Sequence, residues 1–224
     1  MKKKQSGFTL IEIAIVLVII GILLGGVLKG QEMVENAKIK NLRNDFDGIT
    51  AALFSYQDRY GALPGDDARA TTRGWTDAVL GAPAGNVGNG SLNANNAFLA
   101  GGNESQVMWQ HMRYSGLISG DPAGLVNNAG GRANPTNAYG GLLGMARVQG
   151  NWGIGLSGNI VCASNVPGKG AAALDASFDD GASNTGTVRA LAAGATPIDD
   201  EPTGLVPAAG YLEDGTVYTV CKQL

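Results

Sequence analysis

One acidic residue lies inside a long apolar run near the start of the chain. The run extends from Gly7 to Leu28, reads GFTLIEIAIVLVIIGILLGGVL, and holds Glu12 as its single charged side chain. A carboxylate at the centre of a bilayer costs about 2.5–3.5 kcal/mol on insertion scales, so residues of this kind are paired with a cation or another polar group. The chemistry expected of Glu12 is therefore ion pairing within an apolar layer.

The other chemically active side chains do not form the pattern of a catalytic centre. His111 is the single histidine, and it lies between Met108 and Met112 in a predicted helix. No nucleophile with an orienting partner can be placed around it, so we expect a packed helix residue rather than a general base. The glycine-rich residues 150–158 lack the spacing of phosphate-binding loops. We therefore predict that the chain is not an enzyme.

A cluster of oxygen donors occurs in the second half of the chain. Asp175, Asp179 and Asp180, with Asn184 beyond them, are residue types that calcium prefers as ligands. Their spacing does not match the twelve-residue calcium loop, which needs alternating donors and a late glutamate. Solvation of a helix end and turn formation explain the same residues. Calcium stays open as a ligand, and no other cofactor is expected.

The elements that position these residues begin with one long helix. Residues 8–28 would extend about 31 Å as a helix, enough to cross the hydrocarbon layer of a membrane. Lys2, Lys3 and Lys4 precede the run, which predicts a cytoplasmic N-terminus and an exported remainder.

The second half of this helix is predicted to be amphipathic. Apolar residues follow spacings of three and four, typical of a helix that packs one face on a core. These residues are Ile39, Leu42, Phe46, Ile49, Leu53, Tyr56 and Tyr60. Gly61 is a suitable C-terminal cap and Pro64 opposes continuation.

The N-terminus resembles that of a type IV prepilin. The resemblance rests on a basic leader that ends at Gly7, followed by the sequence FTLIE and an unbroken apolar stretch. It covers the first 30 residues closely and extends more loosely to about residue 60. The alternatives are a secretory signal peptide, which would carry a small-residue cleavage site after the apolar run, and a plain anchor, which gives no reason for Glu12.

The resemblance implies a specific processing step and a role for Glu12. In this family a membrane-embedded peptidase cuts after the glycine and methylates the new N-terminal residue, which here places the cut between Gly7 and Phe8. The freed amine of Phe8 is then a cation four residues from Glu12. The family uses the equivalent glutamate to register an incoming subunit against the N-terminus of its neighbour.

Four glycines in the same helix allow two interpretations. Gly21, Gly25, Gly26 and Gly30 each cost about 0.8–1.0 kcal/mol relative to alanine in a helix. They either permit close packing of helices in lipid or mark a stretch that loosens when the filament forms. We expect local loosening, since related pilins lose helicity in a comparable region.

The remainder of the chain is predicted to form an α+β head. Residues 1–7 are the leader, residues 8–60 the helix (8–28 transmembrane, 29–60 amphipathic) and residues 61–224 a loop-rich head with a small antiparallel sheet. Residues 64–102 are expected to form a long exposed connection. Helices are predicted from Asn103, an N-cap, to near Gly116, and over Ala171–Phe178. Strands are predicted over residues 152–156, 160–162 and 216–221, with short pieces at 147–148 and 187–188.

The only two cysteines, Cys162 and Cys221, lie in the exported part of the chain. Two cysteines in an oxidising compartment are most simply one disulfide, and many type IV pilins close the C-terminal part of the head in this way. Two unpaired buried thiols are the alternative.

The charge balance limits the classes of partner. The chain has 16 basic and 19 acidic side chains, a net charge of −3, and loss of the three leader lysines leaves 13 basic side chains and a net charge of −6. An acidic subunit is not expected to bind nucleic acid through a general basic surface.

These observations together predict a structural subunit of a type IV pilus. The expected partners are further copies of the chain, the prepilin peptidase and an inner-membrane assembly platform. The precursor is expected in the inner membrane and the processed subunit in a filament at the cell surface. The alternatives are a pseudopilin of a type II secretion system, with a periplasmic filament, and an adhesive minor pilin at a filament tip.

Overall fold

A computed structural model of the chain describes residues 9–75, 87–92, 97–98, 103–122, 134–148, 154–192, 210–213 and 215–224. The first element is α1, Leu10–Tyr60, an unbroken helix of 51 residues. The chain divides into two compact units between Lys38 and Ile39, so the boundary falls within this helix. The described head is α+β with a small antiparallel sheet, as the sequence predicts, and this sheet has four strands.

The second half of α1 buries the face that its sequence pattern predicts. Six α1 residues are buried: Leu42, Phe46, Ile49, Ala52, Leu53 and Tyr56. The helix ends where expected, because Gly61 takes a positive φ of 67° and donates its amide to the carbonyl oxygen of Gln57 at 2.8 Å. The predicted stripe and the predicted C-terminus are both confirmed.

Two shorter helices pack in the head. Helix α2 is Glu104–Tyr114, and its N-cap Asn103 accepts a hydrogen bond from the Gln106 amide at 3.1 Å, as predicted. Helix α3 is Gly168–Phe178 and begins three residues before the predicted start at Ala171. A Cβ on Gly168 would collide with the carbonyl oxygen of Leu212, and one on Gly170 would collide with the Tyr139 hydroxyl. Tertiary packing therefore requires glycines in a helix that propensity alone disfavours.

The sheet is antiparallel with strand order β1-β2-β4-β3. The strands are β1 Leu143–Arg147, β2 Asn159–Pro167, β3 Val188–Ala192 and β4 Val217–Gln223. Cys162 lies directly opposite Cys221 on β2 and β4. The strands predicted at 160–162 and 216–221 are confirmed, whereas the short pieces predicted at 147–148 and 187–188 overlap β1 and β3 at one residue each.

One predicted strand is wrong. Trp152, the first residue of the strand predicted over residues 152–156, lies outside the described residues. Residues Ile154 to Leu156 form an irregular segment before β2. Ile154 and Leu156 are nonetheless buried. Alternating burial has the same period in a strand and in an extended loop, so the sequence pattern could not distinguish them.

Both faces of the sheet are buried. Met145, Val161 and Val220 pack in one hydrophobic cluster with the buried side of α1 and with α2. Their strand neighbours, including Ile160 and Cys162, pack in a second cluster. Since neighbouring strand residues point to opposite faces, each strand contributes to both clusters.

The described part of residues 64–102 is only partly exposed, whereas an exposed connection was expected throughout. Residues 64–67 are buried, and Leu92 and Phe98 are fully buried, Phe98 in the cluster on the second face of the sheet. The Asp66 carboxylate organises part of this segment by accepting the amides of Gly88, Asn89 and Gly90, the last at 2.6 Å. Asp66 is therefore an internal hydrogen-bonding centre within a segment that was expected to be exposed.

Candidate functional site

The apolar surface of α1 begins at the first helical residue. Within residues 10–28 the large hydrophobic side chains are exposed, from 45% for Ile20 to 92% for Leu10. An 18-residue window of this helix has a mean hydropathy of 2.9 and none of it is buried within the subunit. Length and composition are those of a helix able to cross a membrane. Nothing in the described chain covers this surface.

Glu12 lies in the first turn of this helix and is held by Thr9. The Glu12 carboxylate oxygen Oε2 accepts the Thr9 amide at 2.8 Å and the Thr9 hydroxyl at 2.7 Å. The Thr9 hydroxyl oxygen also accepts the Glu12 amide at 3.4 Å. This reciprocal arrangement is a capping box, in which a residue before the helix and a residue in its first turn satisfy each other's free donors. It sets the start of α1 at Leu10.

Thr9 is the residue that the sequence analysis missed. The signal was present, because threonine followed three residues later by glutamate, at the start of an apolar run, is the sequence pattern of a capping box. The predicted processing residues Gly7 and Phe8 lie outside the described residues, so the predicted pairing of Glu12 with the Phe8 amine stays a prediction.

The four glycines of this segment lie within continuous helix. A Cβ placed on Gly21, Gly25, Gly26 or Gly30 would meet nothing within 4 Å. Packing inside the subunit therefore gives no reason for glycine at these positions. Loosening of this stretch on assembly stays a prediction.

The two cysteines form the expected disulfide. Cys162 on β2 and Cys221 on β4 are joined across the sheet, and both are fully buried in the cluster on the second face. The bond connects residues 59 apart in sequence. It therefore fixes β2 to the last strand of the head.

The predicted calcium residues are only partly brought together. One carboxylate oxygen from each of Asp175, Asp179 and Asp180 lies within 4.8 Å of the others. Asn184 is exposed.

Each of the three carboxylates accepts hydrogen bonds from the chain itself. Asp175 accepts the Tyr211 hydroxyl and the Gly181 amide, and Asp179 accepts the amides of Thr187 and Val188. Asp180 accepts the Ala182 amide at 2.9 Å and the Thr185 hydroxyl at 2.6 Å. Burial raises the pKa of Asp175, and the neighbouring Asp180 and Asp179 add to this, although its hydrogen bonds oppose the rise. The carboxylates close the turn between α3 and β3.

His111 is a packed residue, as expected. It is fully buried, its Nδ1 accepts the Gly65 amide at 3.0 Å, and its ring stacks on Tyr56 at a centroid distance of 6.3 Å. The described contacts therefore give the imidazole a structural role, linking α2 to the segment that follows α1.

Comparison with known proteins gives one match. Residues 2–28 match a family model described as the prokaryotic N-terminal methylation motif. No curated protein and no solved structure matches the chain. The matched residues contain the lysine leader, Gly7, Phe8 and Glu12, followed by the apolar run. The N-terminus of this chain therefore carries the prokaryotic N-terminal methylation motif, the signature of type IV pilins and pseudopilins.

Proposed function

We propose that the chain is a structural subunit of a type IV pilus, cut between Gly7 and Phe8 and polymerised through the apolar half of α1. The observation that carries this proposal is the exposed apolar surface of residues 10–28, with Glu12 as its single acid. At about 25 cal/mol per Å² of apolar surface, such a helix cannot stay in water, so it requires either lipid or other copies of itself.

The free energy of the Glu12 carboxylate differs between lipid and a bundle of processed subunits. In lipid a lone carboxylate is costly. In a bundle of processed subunits, the amine of Phe8 from a neighbouring copy supplies the missing cation. Transfer from the membrane into the filament then pairs two charges that are unfavourable apart.

The remaining partners follow from this assembly route. A prepilin peptidase removes the leader, and an inner-membrane platform brings processed subunits together. The heads, residues 61–224, form the outer surface of the filament at the cell surface. This role is structural and requires no catalytic residue in the chain.

The test compares two acidic residues of α1. Glu12→Ala should leave the processed subunit in the membrane and reduce sheared surface filaments to a small fraction of the wild-type amount. Glu32→Ala is the matched control, because Glu32 is an exposed acid on the same helix, beyond the apolar run, where it pairs with Lys29 at 2.8 Å. The control should assemble normally.

Mass spectrometry of the sheared material completes the experiment. A methylated N-terminal Phe8 in abundant surface filaments is the expected result. Normal filament yield from Glu12→Ala would refute the assembly mechanism. Scarce protein in surface filaments would favour a minor pilin, and complete absence from them with a periplasmic location would favour a secretion pseudopilin.

A further inference from the structure

The two hydrogen bonds on Glu12 are unequally distributed between its carboxylate oxygens. The amide and the hydroxyl of Thr9 both donate to Oε2, at 2.8 and 2.7 Å. No donor in the described part of the chain reaches Oε1. Within the described residues, Thr9 thus engages one carboxylate oxygen of Glu12 and no donor engages the other.

Thr9 has no substitute in this segment. Among residues 10–28, Glu12 is the only one whose side chain carries a polar atom, and the next side-chain donor along the helix is Lys29. Lys29 lies about 25 Å further along the helix and is paired with Glu32. In an apolar layer, the orientation of the Glu12 carboxylate therefore depends on Thr9.

We propose that Thr9 is a positioning residue for filament assembly: its hydroxyl fixes the Glu12 carboxylate so that Oε1 is presented to the amine of a neighbouring copy. This inference rests on the proposed function. Fixing a flexible side chain before docking reduces the entropy lost when the pair forms. Hydrogen bonds to a charged group are also stronger than those between neutral groups. The Thr9 hydroxyl therefore holds the Glu12 side chain in one of the several conformations available to a glutamate.

The test substitutes Thr9 in the full-length chain. Thr9→Val keeps the shape of the side chain and removes the hydroxyl, and Thr9→Ser restores the hydroxyl without the methyl group. We expect Thr9→Val to be processed and retained in the membrane at the wild-type level, with a yield of sheared filaments about tenfold lower, the equilibrium effect of losing one hydrogen bond to a charged group. Thr9→Ser should assemble close to the wild-type yield.

A spectroscopic measurement separates positioning from simple helix capping. In the processed subunit reconstituted in lipid, the side-chain carboxyl carbon of Glu12, assigned by its loss in Glu12→Gln, should shift in Thr9→Val and not in Thr9→Ser. If Thr9→Val changes the backbone signals of residues 10–13 but assembles normally, the hydroxyl only caps the helix and the inference is wrong.

Three further outcomes would also overturn it. An uncut Thr9→Val precursor would place the role of Thr9 in processing, and a defect in the serine variant as large as that in the valine variant would show that the hydroxyl is not what positions Glu12. If Glu12→Ala abolishes filaments while Thr9→Val assembles normally, the inference fails and the proposed function stands. If Glu12→Ala itself assembles normally, the proposed function fails first.

Discussion

Asp67 is a buried and multiply hydrogen-bonded carboxylate of the described head. Only 1% of its side chain is exposed, and it accepts hydrogen bonds from the Arg73 guanidinium at 2.5 Å, the Tyr56 hydroxyl at 3.0 Å and the Arg69 amide at 3.0 Å. Burial by itself would raise the pKa of Asp67, but the hydrogen bonds from Arg73, Arg69 and Tyr56 outweigh it and the pKa is lowered from its ordinary 3.8. The side chain ties the buried face of α1 to the segment after Pro64.

Asp67→Asn should therefore destabilise the protein by about 3 kcal/mol at pH 7, because it leaves Arg73 and Tyr56 around a group that no longer carries charge. A folded pKa below the unfolded value means that the stabilisation is complete at neutral pH and is lost as pH falls through the folded pKa. The difference between the wild type and the variant in urea unfolding should thus shrink below about pH 4. Asp58→Asn, at an exposed acid near the C-terminal end of α1, is the control, and a pH-independent difference would contradict the argument.

Gly65 illustrates how backbone conformation and close packing combine at one residue. Its φ is +90°, its amide donates to His111, and a Cβ would collide with the carbonyl oxygen of Glu104 and lie 3.2 Å from the Cβ of Met108. Gly65→Ala should cost about 3 kcal/mol, from left-handed strain and overpacking together. Gly74→Ala is the matched control, since Gly74 has a φ of +78° with nothing within 4 Å, so strain alone costs about 1 kcal/mol. Equal losses of unfolding free energy would show that the contact with α2 is unimportant.

At the scale of elements, the disulfide fixes β2 to β4. The loop that it closes spans 59 residues, for which the chain-entropy estimate is about 4 kcal/mol. Cys162→Ala, Cys221→Ala and the double substitution should each lower the unfolding free energy by about that amount, because any of them removes the same cross-link. Urea denaturation of each variant, with the disulfide-bonded wild type as the reference, measures this loss of unfolding free energy. Additive losses from the two single substitutions would mean that packing, and not the cross-link, is the main contribution.

The turn between α3 and β3 concentrates three carboxylates, each of which accepts hydrogen bonds from the chain. Their oxygens already accept backbone and hydroxyl donors, and burial raises the pKa of Asp175. We predict that the midpoint of thermal unfolding is the same, within about 1 °C, in millimolar calcium and in chelator. A shift of several degrees that disappears in Asp179→Asn would instead establish a calcium site.

The elements that could be predicted from sequence are those whose signals are local. The stripe on α1, the Asn103 cap of α2 and the strands around Cys162 and Cys221 each depend on spacing or on the types of adjacent residues. The start of α3 could not be predicted, since Gly168 and Gly170 are explained only by Leu212 and Tyr139, which are distant in sequence. The burial of Asp66 and Asp67 was missed for the same reason, because their donors include residues outside the local turn.

The candidate site was predictable in its chemistry but not in its geometry. An acid in an apolar run identifies Glu12 without any structure. Both Thr9 donors reach the same oxygen of the Glu12 carboxylate, Oε2. Sequence spacing does not specify which oxygen a donor reaches. Single-residue chemistry is thus accessible from sequence, whereas the pairing of atoms requires coordinates.

At the scale of the whole molecule, removal of the leader changes three properties together. It removes Lys2, Lys3 and Lys4, it changes the net charge of the side chains from −3 to −6, and it converts the amide nitrogen of Phe8 into a charged amine. The apolar surface of residues 10–28 is the same before and after the cut. We therefore predict that insertion in the membrane and polymerisation are separable, because in the proposed assembly only polymerisation needs the new cation.

A variant that blocks the cut tests this separation. Gly7→Val should leave the full-length precursor in the membrane in normal amounts but give no sheared filaments, since the Phe8 nitrogen stays an uncharged amide and cannot neutralise Glu12 of a neighbouring copy. Gln5→Ala is the matched control, because it alters the leader without altering the scissile bond, and it should be cut and assembled normally. Intact mass measurement of the membrane and sheared fractions gives both results. Uncut Gly7→Val chains in abundant filaments would show that subunits associate through apolar packing alone, and the amine of Phe8 would then have no necessary role in assembly.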